Sequence, residues 1–100
     1  MTTVQLRRYW FEAGRLADFL AWFPALVPVR QQFGFRLRFA LADREAETFT
    51  LAVEHDGDAA AFTEAERAYN ASPERAQVFE TFPAGIACAE VGLVDDVLTR

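Results

Sequence analysis

The stretch Gly34-Phe35-Arg36-Leu37-Arg38-Phe39-Ala40-Leu41, with the acidic segment Ala42 to Glu47 and then Thr48-Phe49-Thr50-Leu51-Ala52-Val53, decides how this chain folds. Phe35, Leu37, Phe39 and Leu41 alternate with Arg36 and Arg38. Phe49, Leu51 and Val53 alternate with Thr48, Thr50 and Ala52. Period-two alternation on both sides of a short polar turn predicts a β-hairpin. In this reading the Phe and Leu side chains of both strands share one side of the sheet, and Arg36 and Arg38 take the other.

Upstream of the hairpin, Thr3 to Phe11 alternates as a strand. Val4, Leu6, Arg8 and Trp10 share one face, and Gln5, Arg7, Tyr9 and Phe11 the other. Neither face is purely polar, so both are expected to be covered. After Gly14, Leu16, Phe19, Leu20, Phe23 and Val27 recur at helical spacing, while Arg15, Asp18 and Ala21 face away. Pro24 and Pro28 each remove a helix hydrogen bond, which predicts a break near Phe23 and a short second piece ending at Phe33. Gly34 then supplies a left-handed cap.

Downstream, Asp58 is placed to cap a helix over about Ala59 to Asn70, with Phe62, Ala65, Glu66 and Tyr69 on one stripe. Ser72 is placed to cap a further short helix. Pro73 takes its first position, Glu74 its first turn, and Val78, Phe79 and Phe82 point inward. Pro83 to Gly85 turn the chain into a last strand, Ile86 to Val94. The tail from Asp95 to Arg100 is left unassigned. The order is β-α-β-β-α-β, so the fold class is α+β: a ferredoxin-like sandwich with a four-stranded antiparallel sheet and helices on one face. One domain spanning 1–100 is expected.

Composition narrows the partners. The net charge is −5, and the only basic run is Arg7-Arg8, which argues against nucleic acid and anionic membrane surfaces. All ten basic residues other than the single His55 are Arg, and Ala is abundant, as expected of a GC-rich, bacterial coding bias. Apolar residues make up 52% of the chain, with ten Phe and two Trp. That is much apolar surface for so small a core, and it predicts burial against a second copy: a homodimer, with the bare sheet faces closing into a dimeric α/β barrel. One cysteine, Cys88, excludes an internal disulfide and suits a reducing cytoplasm, where a buried inert thiol is expected. The N-terminus enters a strand pattern without a signal layout, and no apolar run is long enough to span a membrane.

Few residues are candidates for chemistry. Arg7 and Tyr9 share a strand face, where a guanidinium and a phenol can bind a carboxylate or enolate; the plainer alternative is an ion-paired Arg beside a packed Tyr. His55, between Glu54 and Asp56, can serve as an acid or base, or can sit solvated at a strand end. Trp10 and Trp22 can line a pocket for a flat substrate or fill core and interface. Asn70 can end its helix or turn its amide toward a pocket. Glu64 to Arg67 reads as solvated helix surface. Arg36 and Arg38 are expected at a dimer rim, paired with Glu54 or Glu90 or contacting a bound anion. No metal site and no cofactor are expected. The chain has no Gly-rich phosphate loop, no Gly-x-Ser-x-Gly elbow, no Cys-x-x-Cys and no His-x-x-x-His.

Leu6-Arg7-Arg8-Tyr9 followed by Gly14 resembles the opening motif of NIPSNAP-type domains, with Gln5 in place of the usual Glu and Ala13 in place of the usual Pro. Phe33-Gly34-Phe35 and Tyr69-Asn70-Ala71-Ser72-Pro73-Glu74 are similar to that family too, so the resemblance covers nearly the whole chain. It implies the dimeric α/β-barrel fold and no settled reaction. The wider superfamily that it resembles includes cofactor-independent monooxygenases, haem-degrading enzymes and isomerases, and fold alone does not choose among them. The expectation is a small bacterial protein holding a small organic ligand between sheet and helices, as a cofactor-independent monooxygenase or isomerase in its enzymatic form. The alternative is a non-enzymatic homodimeric assembly module.

Overall fold

The computed structural model describes residues 1–98. The hairpin forms as β2 (Arg36–Asp43) and β3 (Thr48–Asp56), paired antiparallel. On its other edge β3 pairs with β1 (Thr2–Phe11), and β1 pairs with β4 (Ile86–Val94). The sheet order is β2-β3-β1-β4, with all neighbours antiparallel. Both helical connections therefore skip a strand, which is the ferredoxin-like arrangement. Residues 99–100 of the tail lie outside the described residues.

The first connection holds α1 (Leu16–Trp22), a 3-10 turn (Phe23–Ala25) and α2 (Val27–Gln32). Pro24 and Pro28 sit in the first turns of the pieces that follow α1, so the break falls where their missing N–H groups require it. The second connection holds α3 (Ala59–Asn70) and α4 (Pro73–Phe79). Asp58 Oδ1 accepts from the Ala61 N–H at 2.9 Å, and Ser72 Oγ accepts from the Arg75 N–H at 3.1 Å, so both caps act as expected.

All four helices cover one side of the sheet. Leu16, Phe19 and Phe23 from the first connection, Phe35, then Phe49, Leu51 and Val53 from β3, and Phe62 and Tyr69 from α3 are buried together. Burying each such side chain contributes about 1.5–3 kcal/mol. Trp22 belongs to this layer as well. Its indole N–H donates to the Val78 carbonyl at 3.0 Å, and its ring meets Phe79 and Phe82 edge-on at 4.9 Å, joining α1 to α4.

Two expectations are corrected. The register between β2 and β3 shifts between Leu37 and Phe39: Leu37 pairs with Val53, but Phe39 pairs with Ala52. Arg38 is the extra residue of a β-bulge, and a bulge reverses the facing of everything beyond it. Phe35 and Leu37 therefore face the helices, whereas Phe39 and Leu41 emerge on the outer face, 39% and 62% exposed. Cys88, expected buried, is exposed in β4, opposite Trp10 on the side that has no helices.

The hairpin turn also anchors α1. Arg15, at the N-terminus of that helix, provides no side-chain cap. The Glu47 carboxylate does so from across the fold, accepting from the Gly14 N–H at 2.9 and 3.0 Å and from the Leu16 N–H at 3.3 Å. Glu47 itself holds a left-handed backbone, φ 53°. Replacing Glu47 with Ala is expected to lower stability by about 1–2 kcal/mol, read from urea denaturation midpoints. Gly34 has φ +88°, and a Cβ there would lie 2.9 Å from His55 Nε2. Gly34→Ala is expected to cost about 1–2 kcal/mol or more by the same measurement.

On the outer face Glu54 lies between two arginines. Arg38 Nε donates to one carboxylate oxygen at 2.6 Å and Arg36 Nη2 to the other at 2.6 Å. Arg36 also reaches Asp56 at 2.9 Å, and Arg38 reaches Asp96 at 2.6 Å. The hydrogen bond from Arg38, followed by that from Arg36, holds the Glu54 carboxyl below its ordinary 4.5. A depressed folded value means that its contribution to stability is complete above 4.5 and is lost as pH falls from there through the lower folded value. Glu54→Gln is expected to flatten the stability profile measured by denaturation at and below the ordinary carboxyl value of 4.5.

Candidate functional site

A cavity of about 450 Å³ opens between β1 and the helices. Its existence follows from β1. The side chains that this strand turns toward the helices are Gln5, Arg7 and Tyr9, which an apolar helix face cannot pack against without stranding their polar atoms. The opposite wall is aromatic, formed by Phe19, Trp22, Phe79 and Phe82. An apolar recess with a few convergent polar groups is the ordinary form of a small-molecule site.

The polar wall is organised around Arg7. Its Nε donates to the Tyr9 hydroxyl oxygen at 2.7 Å and its Nη1 to Gln5 Oε1 at 2.8 Å. Gln5 Nε2 in turn donates to Glu66 Oε2 at 3.2 Å, and Arg7 Nη1 lies 3.5 Å from the same carboxylate oxygen. Because the Tyr9 oxygen accepts from Arg7, the hydroxyl hydrogen is left to donate elsewhere. Arg7 is thus pinned on three sides, and Tyr9 presents a polarised donor to the cavity.

A second polar group lies where α2, α3 and α4 meet. Arg30 on α2 is only 5% exposed, yet its Nε and Nη1 donate to nothing among the described residues. The buried Tyr69 hydroxyl and the Arg75 Nε are likewise unpartnered. The Arg30 guanidinium sits 4.7 Å from the centre of the Tyr69 ring and 5.8 Å from that of Phe35. Arg75 lies over the Tyr69 ring at 5.4 Å and over Phe79 at 4.0 Å. Burial, the largest influence, pulls Arg30 below the ordinary arginine value. A guanidinium nonetheless keeps its proton, so it stays a buried cation.

Of the residues singled out in the sequence, Arg7, Tyr9 and Asn70 come together on this cavity. His55 and Trp10 do not line it. The His55 ring packs against Phe35 and Phe62, and its Nδ1 donates to the Asp56 carbonyl at 2.8 Å. Trp10 lies on the outer face of β1, with the Arg8 guanidinium 5.0 Å from its ring. Arg36 and Arg38 are held by Glu54, Asp56 and Asp96. Glu66 departs from the solvated-surface reading: Glu64 and Arg67 pair with each other on the exposed side, while Glu66 turns to the cavity. Arg30 and Arg75 carried no local signal in a chain whose basic residues are nearly all Arg. The one available clue was the position of Arg30 next to Val29, one turn after Leu26, on the side of α2 that meets the core. Among the described residues, no group of three or more His, Cys, Asp or Glu can hold a metal ion, and no helix is long and apolar enough to cross a membrane.

No protein-family model matches the sequence, and no curated protein matches it. Similarity appears in three dimensions. A NIPSNAP domain protein from Burkholderia xenovorans superposes with a TM-score of 0.82 at 17% identity, covering 100% of this chain and 99% of that one. A NIPSNAP family protein of unknown function from Agrobacterium tumefaciens gives 0.81 at 11% identity, covering 93% of this chain and 86% of the other. SnoaB, a cofactor-independent oxygenase from Streptomyces nogalater, gives 0.69 at 21% identity, covering 98% and 95%. At these identities the likeness is one of fold, and the fold of this chain is that of NIPSNAP domain proteins along its whole length.

Proposed function

We propose that this protein binds a small organic molecule in the cavity between helices and sheet, with Arg7 and Tyr9 as its polar anchors. The observation that carries the reading is the cavity itself, about 450 Å³ with an aromatic wall facing the Arg7–Tyr9 pair. That volume lies within the usual range of ligand sites, about 300–1,000 Å³. A flat ligand stacks on the aromatic wall, and the Tyr9 hydroxyl donates to its carbonyl or enolate oxygen. Asn70 lies at the same cavity, where its amide can contribute a further hydrogen bond.

In its enzymatic form the protein is a cofactor-independent monooxygenase or isomerase that works by stabilising an enolate of its substrate. The Arg7-supported Tyr9 hydroxyl donates to the substrate oxygen on which the enolate charge develops. Glu66, a carboxylate lining the cavity, is positioned to take a proton. The similarity of fold to SnoaB, which is described as a cofactor-independent oxygenase, supports this class of chemistry. A survey of flat aromatic acids, phenols and ketones by thermal shift is expected to find stabilising ligands. Tyr9→Phe is expected to weaken them by about three- to tenfold in calorimetric titration, the worth of one hydrogen bond. If no such compound binds and native mass spectrometry of the purified chain shows no small-molecule adduct, the alternative of a homodimeric assembly module takes its place.

The protein acts as a homodimer. The outer face of the sheet carries Leu6, Trp10, Phe39, Leu41 and Val94 with no helix to cover them, and on a free chain this is an exposed apolar patch. Two such faces packed together close a dimeric α/β barrel, with the paired Arg36 and Arg38 at its rim. Light scattering is expected to give twice the chain mass at micromolar concentration, and Phe39→Glu combined with Leu41→Glu is expected to give the monomer. A native chain that scatters as a monomer overturns the barrel.

A further inference from the structure

The cavity holds two arginines in opposite states. Arg7 is engaged by Tyr9, Gln5 and Glu66. Arg30 is more deeply buried, yet no carboxylate among the described residues lies within ion-pair distance, and its buried Nε and Nη1 donate to nothing. A buried cation ordinarily has a counterion, because attraction to it offsets the lost hydration. Here the ring faces of Tyr69 and Phe35 supply only part of that compensation. Arg75 brings a second positive charge over the same Tyr69 ring, with its own buried Nε also unused, and the Tyr69 hydroxyl beside them is unpartnered. Two like charges and four stranded polar atoms converge on one wall of one cavity. That pattern is completed by a negative group entering from the cavity.

We infer that Arg30, Arg75 and Tyr69 form an anion subsite, and that the ligand of this cavity is a small aromatic molecule bearing a carboxylate. The inference rests on the ligand-binding reading of the cavity and adds the charge and the orientation of what it binds. A carboxylate accepts from planar guanidinium groups in a fork geometry. Phe19, Trp22 and Phe79 then require an apolar, flat body beyond it, which an inorganic oxyanion lacks. The carboxylate end faces the helices, and the far end of the molecule faces Tyr9 and Arg7.

The test uses the full chain with 2-naphthoate, its neutral counterpart 2-naphthamide, and inorganic phosphate, followed by calorimetric titration. Tighter binding of 2-naphthoate than of 2-naphthamide, by about tenfold or more, is expected, as befits hydrogen bonds to a charged group. Inorganic phosphate is expected to bind more weakly than 2-naphthoate, and phosphate binding the tighter of the two overturns the aromatic carboxylate assignment. Arginine Nε–H resonances in ¹⁵N-labelled native protein are expected to shift with 2-naphthoate and to stay in place with the amide, a measurement that needs no variant. Arg30→Met removes the uncompensated charge, so the free variant is expected to melt no lower than the native chain, and the preference for carboxylate over amide is expected to vanish. Equal binding of acid and amide by the native chain overturns the subsite and leaves the cavity reading standing. Binding of neither overturns the aromatic carboxylate assignment, while the cavity reading falls only if the wider ligand survey and native mass spectrometry also find nothing.

Discussion

The polar residues that β1 turns toward the helices set the terms for the rest of this structure. A four-stranded sheet covered on one side normally closes its core with apolar side chains. β3 does so with Phe49, Leu51 and Val53. β1, its neighbour, presents Gln5, Arg7 and Tyr9 at the same level. Those groups cannot be sealed under Phe and Leu without losing hydrogen bonds, so they bond to one another and to Glu66, and the helices stand off from them. The first helical connection is broken into two short pieces separated by a 3-10 turn, and side chains from both pieces line the cavity. The core therefore divides into a filled half over β3 and an open half over β1. The open half is the cavity, and it is also where Arg30 is buried without an ion-pair partner among the described residues.

The other side of the sheet follows a different logic. It has no helices, so its apolar residues stay in water until something covers them. The bulge at Arg38 adds to this load by bringing Phe39 and Leu41 outward, and it places Arg38 where Glu54 and Asp96 can bind it. Apolar surface at the centre and ion pairs at the edge is the distribution expected of an interface core and rim. The two faces have thereby separated their work: the helix side encloses a small volume, and the bare side offers a broad surface.

Much of the fold was legible in local pattern. Alternation located three strands and the Pro83 to Gly85 turn the fourth, the two prolines located the break after α1, and Asp58 and Ser72 marked helices whose caps lie within three residues of their donors. What could not be read depended on contacts between distant segments. The bulge leaves the composition of β2 unchanged and moves only its register, so strict alternation misassigned Phe39 and Leu41. Part of the site was legible as well, since Arg7 and Tyr9 share a face with Phe11, which packs on the core. Arg30 was not. Its burial comes from Phe35 and Tyr69 closing over it, and its place beside Val29, one turn after Leu26, is the one local mark that sets it apart from the exposed arginines. For His55 the sequence left both an acid–base role and a solvated strand end open, and its ring packs against Phe35 and Phe62 through contacts that no neighbouring residue announces.

The carboxylate of Glu47 ties together two events in the folding of the chain. α1 is seven residues long, interrupted by Pro24 soon after its end, and too short to persist alone in water. Its first N–H groups find their acceptor only when the β2–β3 turn has formed and Glu47 has taken up its left-handed backbone. Local hairpin closure is fast, whereas docking of α1 spans more than thirty residues of chain. The cap of α1 therefore exists only while the hairpin turn is formed, and the first N–H groups of the helix lose their acceptor whenever that turn opens. A seven-residue helix on the wall of the cavity thus owes its order to a surface turn, and loosening that turn would loosen the wall.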